Sequence, residues 1–315
     1  MALRYIGRRL ALLIPVTLLA TLIVFLMVRL LPGGPAGILA GEEATIEEIA
    51  ALEEELGLNE PIPLQYVAWL GRLVSGDLGE SIFSQLPVFD LLMQRVEPTI
   101  SLAILSLCLT IVIAVPMGCL TGAMQGARTD RFFVAFTGVL ISLPVFLVGY
   151  LLIYSLSLKM QWFPVQGYVS IQDGPVDFLR HLALPAVAVT LHSIAFMSRI
   201  TRVSMIEQLA RDFVRTARAK GAPEFRVITR HALRNAAPAI IAVIGLAFLN
   251  LINGVIIVET VFSLPGIGRL LVGAISNRDF PVLQGILILF VMINLVVNIL
   301  LDILYVVLDP RTAAK

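Results

Sequence analysis

The sequence is short of charge. Asp, Glu, Lys and Arg together make up 14% of its 315 residues, where soluble domains carry about a quarter. Hydrophobic residues reach 58% and the mean hydropathy is +0.92, so lipid rather than water is the expected solvent, and disordered and collagen-like classes are excluded. Cysteine is scarce as well. Cys108 and Cys119 stand eleven residues apart on one apolar run. On a helix that is roughly 16 Å, beyond the ~7 Å that a disulfide allows, so both read as packing residues. The lysines are Lys159, Lys220 and Lys315, and none lies in a Gly-x-x-x-x-Gly-Lys setting, so the chain has no P-loop of its own. The histidines, His181, His192 and His231, show no ligand spacing, and His192 reads as a satisfied core residue. No metal or cofactor site is expected in the chain. Without a Ser/His/Asp grouping or a His-Glu-x-x-His, no enzymatic chemistry is expected either. The net charge of +1 gives no reason to expect a nucleic-acid partner.

What is present is a series of long apolar runs: residues 10–31, 99–122, 133–158, 182–197, 236–258 and 282–308. They predict an all-α membrane protein with six transmembrane helices, since an open strand would leave backbone groups unpaired in hydrocarbon. The first run follows Arg4, Arg8 and Arg9 but is too long for the h-region of a secretory signal, about 15 residues, and reads as a retained helix. The fourth is short and begins near Pro185. Its helix is expected to project beyond the bilayer through Thr201. With the N-terminus inside, sixteen of the 23 basic residues fall on the cytoplasmic side, nine of them between Arg199 and Arg234, so both termini are expected to be cytoplasmic. The expected organisation is an N-terminal helix (1–31), an acidic extracytoplasmic helical insertion (32–98), a core transmembrane region (99–308) with a cytoplasmic loop at 199–235, and a short cytoplasmic tail (309–315).

Two loops of opposite charge stand out. Residues 32–98 carry twelve acidic residues against Arg72 and Arg95. Thr45 and Glu48 form a capping box, Ile49, Leu52 and Leu56 a helical stripe, and Gly57 a stop; residues 63–74 form a second amphipathic stretch. This is either a solvated cap or a docking surface for an extracytoplasmic partner. On the other side, within residues 199–235, Val203, Ile206, Ala210, Phe213 and Ala217 recur at spacings of three and four, flanked by Arg202, Arg211, Arg215 and Arg218. Gly221 supplies a left-handed cap and Pro223 prevents continuation, giving helix, sharp turn, helix. Periodicity alone leaves open whether this basic surface meets anionic lipid or a protein.

The run Asp212-Phe213-Val214-Arg215-Thr216-Ala217-Arg218-Ala219-Lys220-Gly221-Ala222, followed by His231-Ala232-Leu233-Arg234-Asn235 and Pro238, resembles the EAA loop of ABC-importer permeases. The subgroup it resembles is the dipeptide, oligopeptide and nickel permeases. The likeness extends from Arg8-Arg9 through Val28-Arg29-Leu30-Leu31-Pro32-Gly33, and through Ser263-Leu264-Pro265-Gly266-Ile267-Gly268-Arg269, Asn277-Arg278-Asp279-Phe280-Pro281 and Leu308-Asp309-Pro310-Arg311. Arg215, Thr216 and Lys220 depart from the general EAA pattern as this subgroup does. The resemblance implies a type I ABC importer permease fold and a loop, Asp212 to Ala222, that docks as a coupling helix on a cytoplasmic ATPase. It also implies a second homologous permease chain, two ATPase subunits that bind ATP and Mg, and an extracytoplasmic substrate-binding protein. The expected function is import of short peptides by alternating access, with nickel, glutathione or opines as alternative substrates.

Ionisable groups within the spans are few. Arg29 and Glu259 lie at span ends and Asp302 in the inner third of the last helix, which gives little support to an ion-gradient carrier, the alternative of a different class. A scaffold or receptor subunit is the third reading. Asn294 and Asn298 share one face of the last span, and Asn250 and Asn253 lie close together on the fifth. These four asparagines either make hydrogen bonds between helices or line a polar route for substrate backbone groups.

Overall fold

The computed structural model describes residues 2–29, 36–37, 40, 44–55 and 57–308. Apart from one isolated bridge between Glu80 and Pro87, the regular structure among them is helical. The helices are α1 (Ala2–Arg29), α2 (Ile46–Glu55), α3 (Ile62–Val74), α4 (Val88–Ala123), α5 (Arg128–Ser142) and α6 (Val145–Lys159), then α7 (Pro175–Leu209), α8 (Asp212–Ala219), α9 (Glu224–Val261), α10 (Ile267–Ser276) and α11 (Phe280–Leu308). Among the described residues α4, α7, α9 and α11 are long and apolar enough to cross a bilayer, and α5 with α6 makes a fifth if the pair is one span. The stretch Ile14–Arg29 of α1 is a shorter apolar helix.

The apolar run 133–158 is not one helix. It bends by 93° between Ser142 and Val145. Pro144 has no N–H to give and disfavours a helical residue before it, and Leu143 is accordingly extended at φ −80°, ψ 123°. The fourth run differs in the other direction. α7 covers 35 residues, starts ten residues before Pro185 and passes well beyond Thr201. It is the most enclosed of the spans, with 67% of its most apolar stretch buried, against 28–39% in α4, α9 and α11. An interior helix meets neighbouring helices rather than lipid, so it accommodates Ser193, Ser198, Thr201 and Ser204 on its buried face, and this lowers its hydropathy.

The chain divides into two compact units, one chiefly Glu97–Arg269 and the other Leu3–Val96 with Leu270–Ile299. In the first, α7 packs along α9, α5 and α6. α4 meets α7 through Gly118 and Gly122, where a Cβ would stand 2.6 Å from Thr201 Cβ and 2.8 Å from Met205 Cβ respectively. Two small residues four apart thus let these helices approach closely. In the second unit, Phe25 of α1 is fully buried against the rings of Tyr66 and Trp69 of α3. Arg29 stacks 3.6 Å over Phe25 and donates to Gln65 Oε1 from Nε (2.9 Å) and Nη2 (2.7 Å). The capping box at α2 is present: the Thr45 N–H donates to Glu48 Oε2 (2.8 Å), and the Glu48 N–H to Thr45 Oγ1 (3.3 Å). Gly57 follows at φ +64°. Further on, Ser81 Oγ donates to Asp279 Oδ2 (2.5 Å) and the Ile82 N–H to Asp279 Oδ1 (3.3 Å), tying the end of the acidic segment to the Asn277–Pro281 turn. Asp302, the N-terminal arginines, Leu56 and the tail 309–315 lie outside the described side chains.

Candidate functional site

The Arg-rich loop is built around one turn. α7 ends at Leu209, Arg211 is extended (φ −75°, ψ 152°), and the eight-residue α8 begins at Asp212, whose carboxylate sits in the first turn. This break corrects the stripe expected across 203–217. Val203 is 51% exposed, Phe213 is 39% exposed and Ala210 is exposed, while the buried positions are Ser204, Met205, Val214 and Ala217. Two separate helices present their own faces here, and spacing across the break at Ala210–Arg211 has no meaning.

α8 ends in a Schellman motif. The Ala222 N–H donates to the Ala217 carbonyl (3.1 Å) and the Gly221 N–H to the Arg218 carbonyl (2.9 Å), with Gly221 at φ +78°. Ala222 packs with Leu209 against the cluster Val214, Ala217 and Val227. Across the turn Arg218 Nη2 meets Glu224 Oε1 at 2.5 Å, which raises the Arg218 pKa further. Arg215 pairs loosely with Asp212 (3.3 Å), and Thr216 Oγ1 donates to the Asp212 carbonyl. Outward α8 presents Asp212, Phe213, Arg215, Thr216 and Lys220, and Phe225 beside it is 79% exposed. The structure therefore brings Asp212 to Ala222 together as one knob joining α7 to α9, two of the spans.

Above the knob a clasp fixes α7. Arg202 donates from Nε and Nη2 to the two oxygens of Asp130 at 2.5 and 2.7 Å, and the Gly126 N–H donates to Asp130 Oδ2. One turn earlier, Arg199 donates to Thr137 Oγ1 and the Val134 carbonyl. Neither acceptor side chain stood out in the sequence, since Asp130 lies in the short segment between two apolar runs and Thr137 inside one of them.

A second site lies between α7 and α9. A cavity of about 410 Å³ is lined by Val189, His192, Ser193 and Phe196 at helical spacing on α7, and by Ala247, Asn250, Leu251, Asn253, Gly254 and Ile257 on α9, with Val145 of α6. Asn250 and Asn253 thus share a cavity as the polar-route reading requires. Asn294 and Asn298 belong to the other unit, and their amides donate to the Phe290 and Asn294 carbonyls of their own helix. His192 is exposed into the cavity rather than satisfied in a core. Periodicity could not separate these two settings.

Glu259, read as a span-end charge, is fully buried. It accepts from Thr99 Oγ1 (2.6 Å) and from the Gly268 and Arg269 N–H groups (2.7 and 3.1 Å), while Thr99 Oγ1 accepts from the Ile267 N–H. The carboxylate occupies the N-terminal end of α10, where free N–H groups favour an anion. A Cβ at Gly266 would fall on this carboxyl, so the glycine in Pro265-Gly266-Ile267-Gly268 is a space requirement.

Residues 114–314 match the family described as binding-protein-dependent transport system inner membrane component, and residues 2–103 match its N-terminal counterpart. The chain belongs to this family. Among relatives of this permease component, the protein of Sinorhizobium fredii named "Probable peptide ABC transporter permease protein y4tP" is 46% identical, over 98% of this chain and 98% of its own. The Escherichia coli "Glutathione transport system permease protein GsiC" is 36% identical, over 99% of this chain and 100% of its own. Among solved structures, the inward-facing MetNI methionine ABC transporter superposes with a TM-score of 0.59 at 17% identity, covering 70% of this chain and 96% of that one, a likeness of fold.

Proposed function

We propose that this permease component is one of two membrane subunits of an ATP-driven importer of short peptides. The observation that carries the reading is the Schellman-capped knob Asp212–Ala222, which joins α7 to α9 and presents an exposed basic and aromatic surface. Relatives named for peptide transport support the substrate class. In this reading α1, α4, the bent α5–α6 pair, α7, α9 and α11 are the six spans, and both termini and the knob are cytoplasmic. The acidic residues 32–98 meet a substrate-binding protein outside. A second, homologous permease chain completes the path. ATP and Mg are held by two partner ATPase subunits, which hydrolyse the ATP; their closure moves the knob, and the spans exchange an inward for an outward opening.

A second reading within the same architecture is glutathione, itself a tripeptide, favoured by the relative named for that substrate. The test is uptake of labelled di-, tri- and pentapeptides, glutathione and nickel, in cells lacking their own permeases and given this chain with its partners. Uptake that needs active ATPases and survives an ionophore is expected. Uptake abolished by ionophore yet indifferent to ATPase inactivation would place the chain among ion-gradient carriers.

A further inference from the structure

Polar side chains inside membrane spans ordinarily bond to their own helix, since an unmet donor or acceptor in hydrocarbon is costly. Most of this chain obeys. Thr110, Thr121, Thr137, Ser142 and Thr190 donate to carbonyls one turn back, as do Asn294 and Asn298. His192, Ser193, Asn250 and Asn253 make no side-chain hydrogen bond to any described residue, and all four line the cavity between α7 and α9. Ser106 Oγ and Thr201 Oγ1 are also unmet, each singly and buried in helix packing; four such side chains on facing helices around one hollow mark a surface for water or a ligand rather than for lipid.

The lining also limits the ligand. It offers no Asp, Glu, Lys or Arg side chain, so nothing in it pairs with a terminal ammonium or carboxylate, or holds a metal ion alone. It offers two carboxamides, each carrying an acceptor beside a donor, the complement of a peptide group. Beside them stand Phe196, Val189, Leu251 and Ile257, which suit apolar side chains. At about 410 Å³ it falls within the ~300–1,000 Å³ of small-molecule pockets.

We infer that this cavity is a substrate subsite that reads the secondary amides of a passing peptide through Asn250 and Asn253, with His192 and Ser193 opposite, and leaves the charged termini in water. The inference rests on the peptide-importer reading and adds which groups of the peptide this chain recognises.

The assembled complex in proteoliposomes, with its ATPases and binding protein, is given trialanine and the depsipeptide in which an ester replaces the second of its two amides. The binding protein is identical throughout, so a change in the amide-to-ester uptake ratio caused by substitutions in this chain belongs to this chain. The Asn250→Leu/Asn253→Leu double variant is expected to lower the ratio roughly five- to tenfold, the scale of one unmet hydrogen bond. Asn250→Gln, which keeps the carboxamide, retains the ratio. An unchanged ratio in the double variant overturns the inference. If the wild-type complex moves no peptide, the importer reading fails first. The subsite is then judged by maleimide labelling of Asn250→Cys: protection by trialanine upholds it and undiminished labelling refutes it.

Discussion

Gly221 is the residue at which a small change should uncouple the machine without unfolding it. Its φ of +78° lies in the left-handed region, and no heavy atom stands within 4 Å of where a Cβ would be. The cost of a side chain there is therefore one of backbone conformation alone. For alanine that is about 1–2 kcal/mol, a factor of roughly 5 to 30 in the population of the capped turn. Asparagine tolerates this region and should cost less. Proline, fixed near φ −65°, cannot adopt it and also removes the bond from the Gly221 N–H to the Arg218 carbonyl, a loss of about 3 kcal/mol or more. An eight-residue helix has no stability of its own, so α8 depends on this cap and on Val214 and Ala217 beneath it. The assay is the number of peptides imported per ATP hydrolysed, in proteoliposomes with matched amounts of assembled complex. The expected order is glycine, asparagine, alanine, proline, with membrane insertion unchanged. Wild-type transport per ATP in both the alanine and proline variants would refute the assignment of the turn as the coupling element.

The Asp130–Arg202 clasp is nearly enclosed, with Asp130 5% and Arg202 19% exposed at the side chain. Asp130→Asn leaves a charge without its partner and should destabilise the fold by about 3 kcal/mol, while the double change with Arg202→Gln should cost less than the sum of the single changes; melting in detergent reads both. Gly118→Ala should lower the same melting temperature by an overpacking cost of about 1–3 kcal/mol, because the new methyl meets Thr201 Cβ at 2.6 Å and the Ser198 carbonyl at 2.7 Å. A melt indistinguishable from wild type would disprove that crossing. At α2 the Thr45 N–H, and then its hydroxyl, hold the Glu48 carboxyl below its ordinary range. A depressed folded-state pKa gives stabilisation that is complete above the unfolded value, near about 4.3, and is lost as pH falls through the lower folded one. Hydrogen-exchange protection over residues 46–49 should accordingly decline in that acid window; Glu48→Gln should abolish the pH step, whereas Thr45→Ala, which keeps the backbone N–H and loses only the hydroxyl, should shrink it.

The turn at Gly221 and Pro223, the cap at Thr45 and the nearness of Asn250 to Asn253 were legible because each depends on local chemistry. Other features depended on surroundings. α7 looked short since its Ser and Thr residues dilute the apolar signal, yet they are there because the helix lies inside the protein. The break at Ala210–Arg211 contains neither glycine nor proline, so the apolar spacing ran across it unopposed. The bend after Ser142 did have a marker, Pro144, hidden within an apolar run of ordinary span length. His192 and Glu259 show the limit most clearly. A lone histidine facing a cavity and one facing a core have the same sequence, and a buried carboxylate that caps the next helix cannot be told from one at a membrane surface.

α7 has the proportions of a lever. Its 35 residues make a rod about 52 Å long, on which Arg202 is clasped to Asp130, His192 lies about 15 Å to one side and Leu209 about 10 Å to the other. If the clasp is the fulcrum, a tilt of about 5° moves Leu209 by roughly 0.9 Å and His192 by roughly 1.3 Å the opposite way, enough to take a hydrogen bond at the cavity out of range. A modest push on the knob would then loosen the grip of the cavity on its contents. The gearing is set by where along the rod the arginine stands, so moving the clasp by one turn should change the stroke at each end without altering any residue that touches substrate or ATPase.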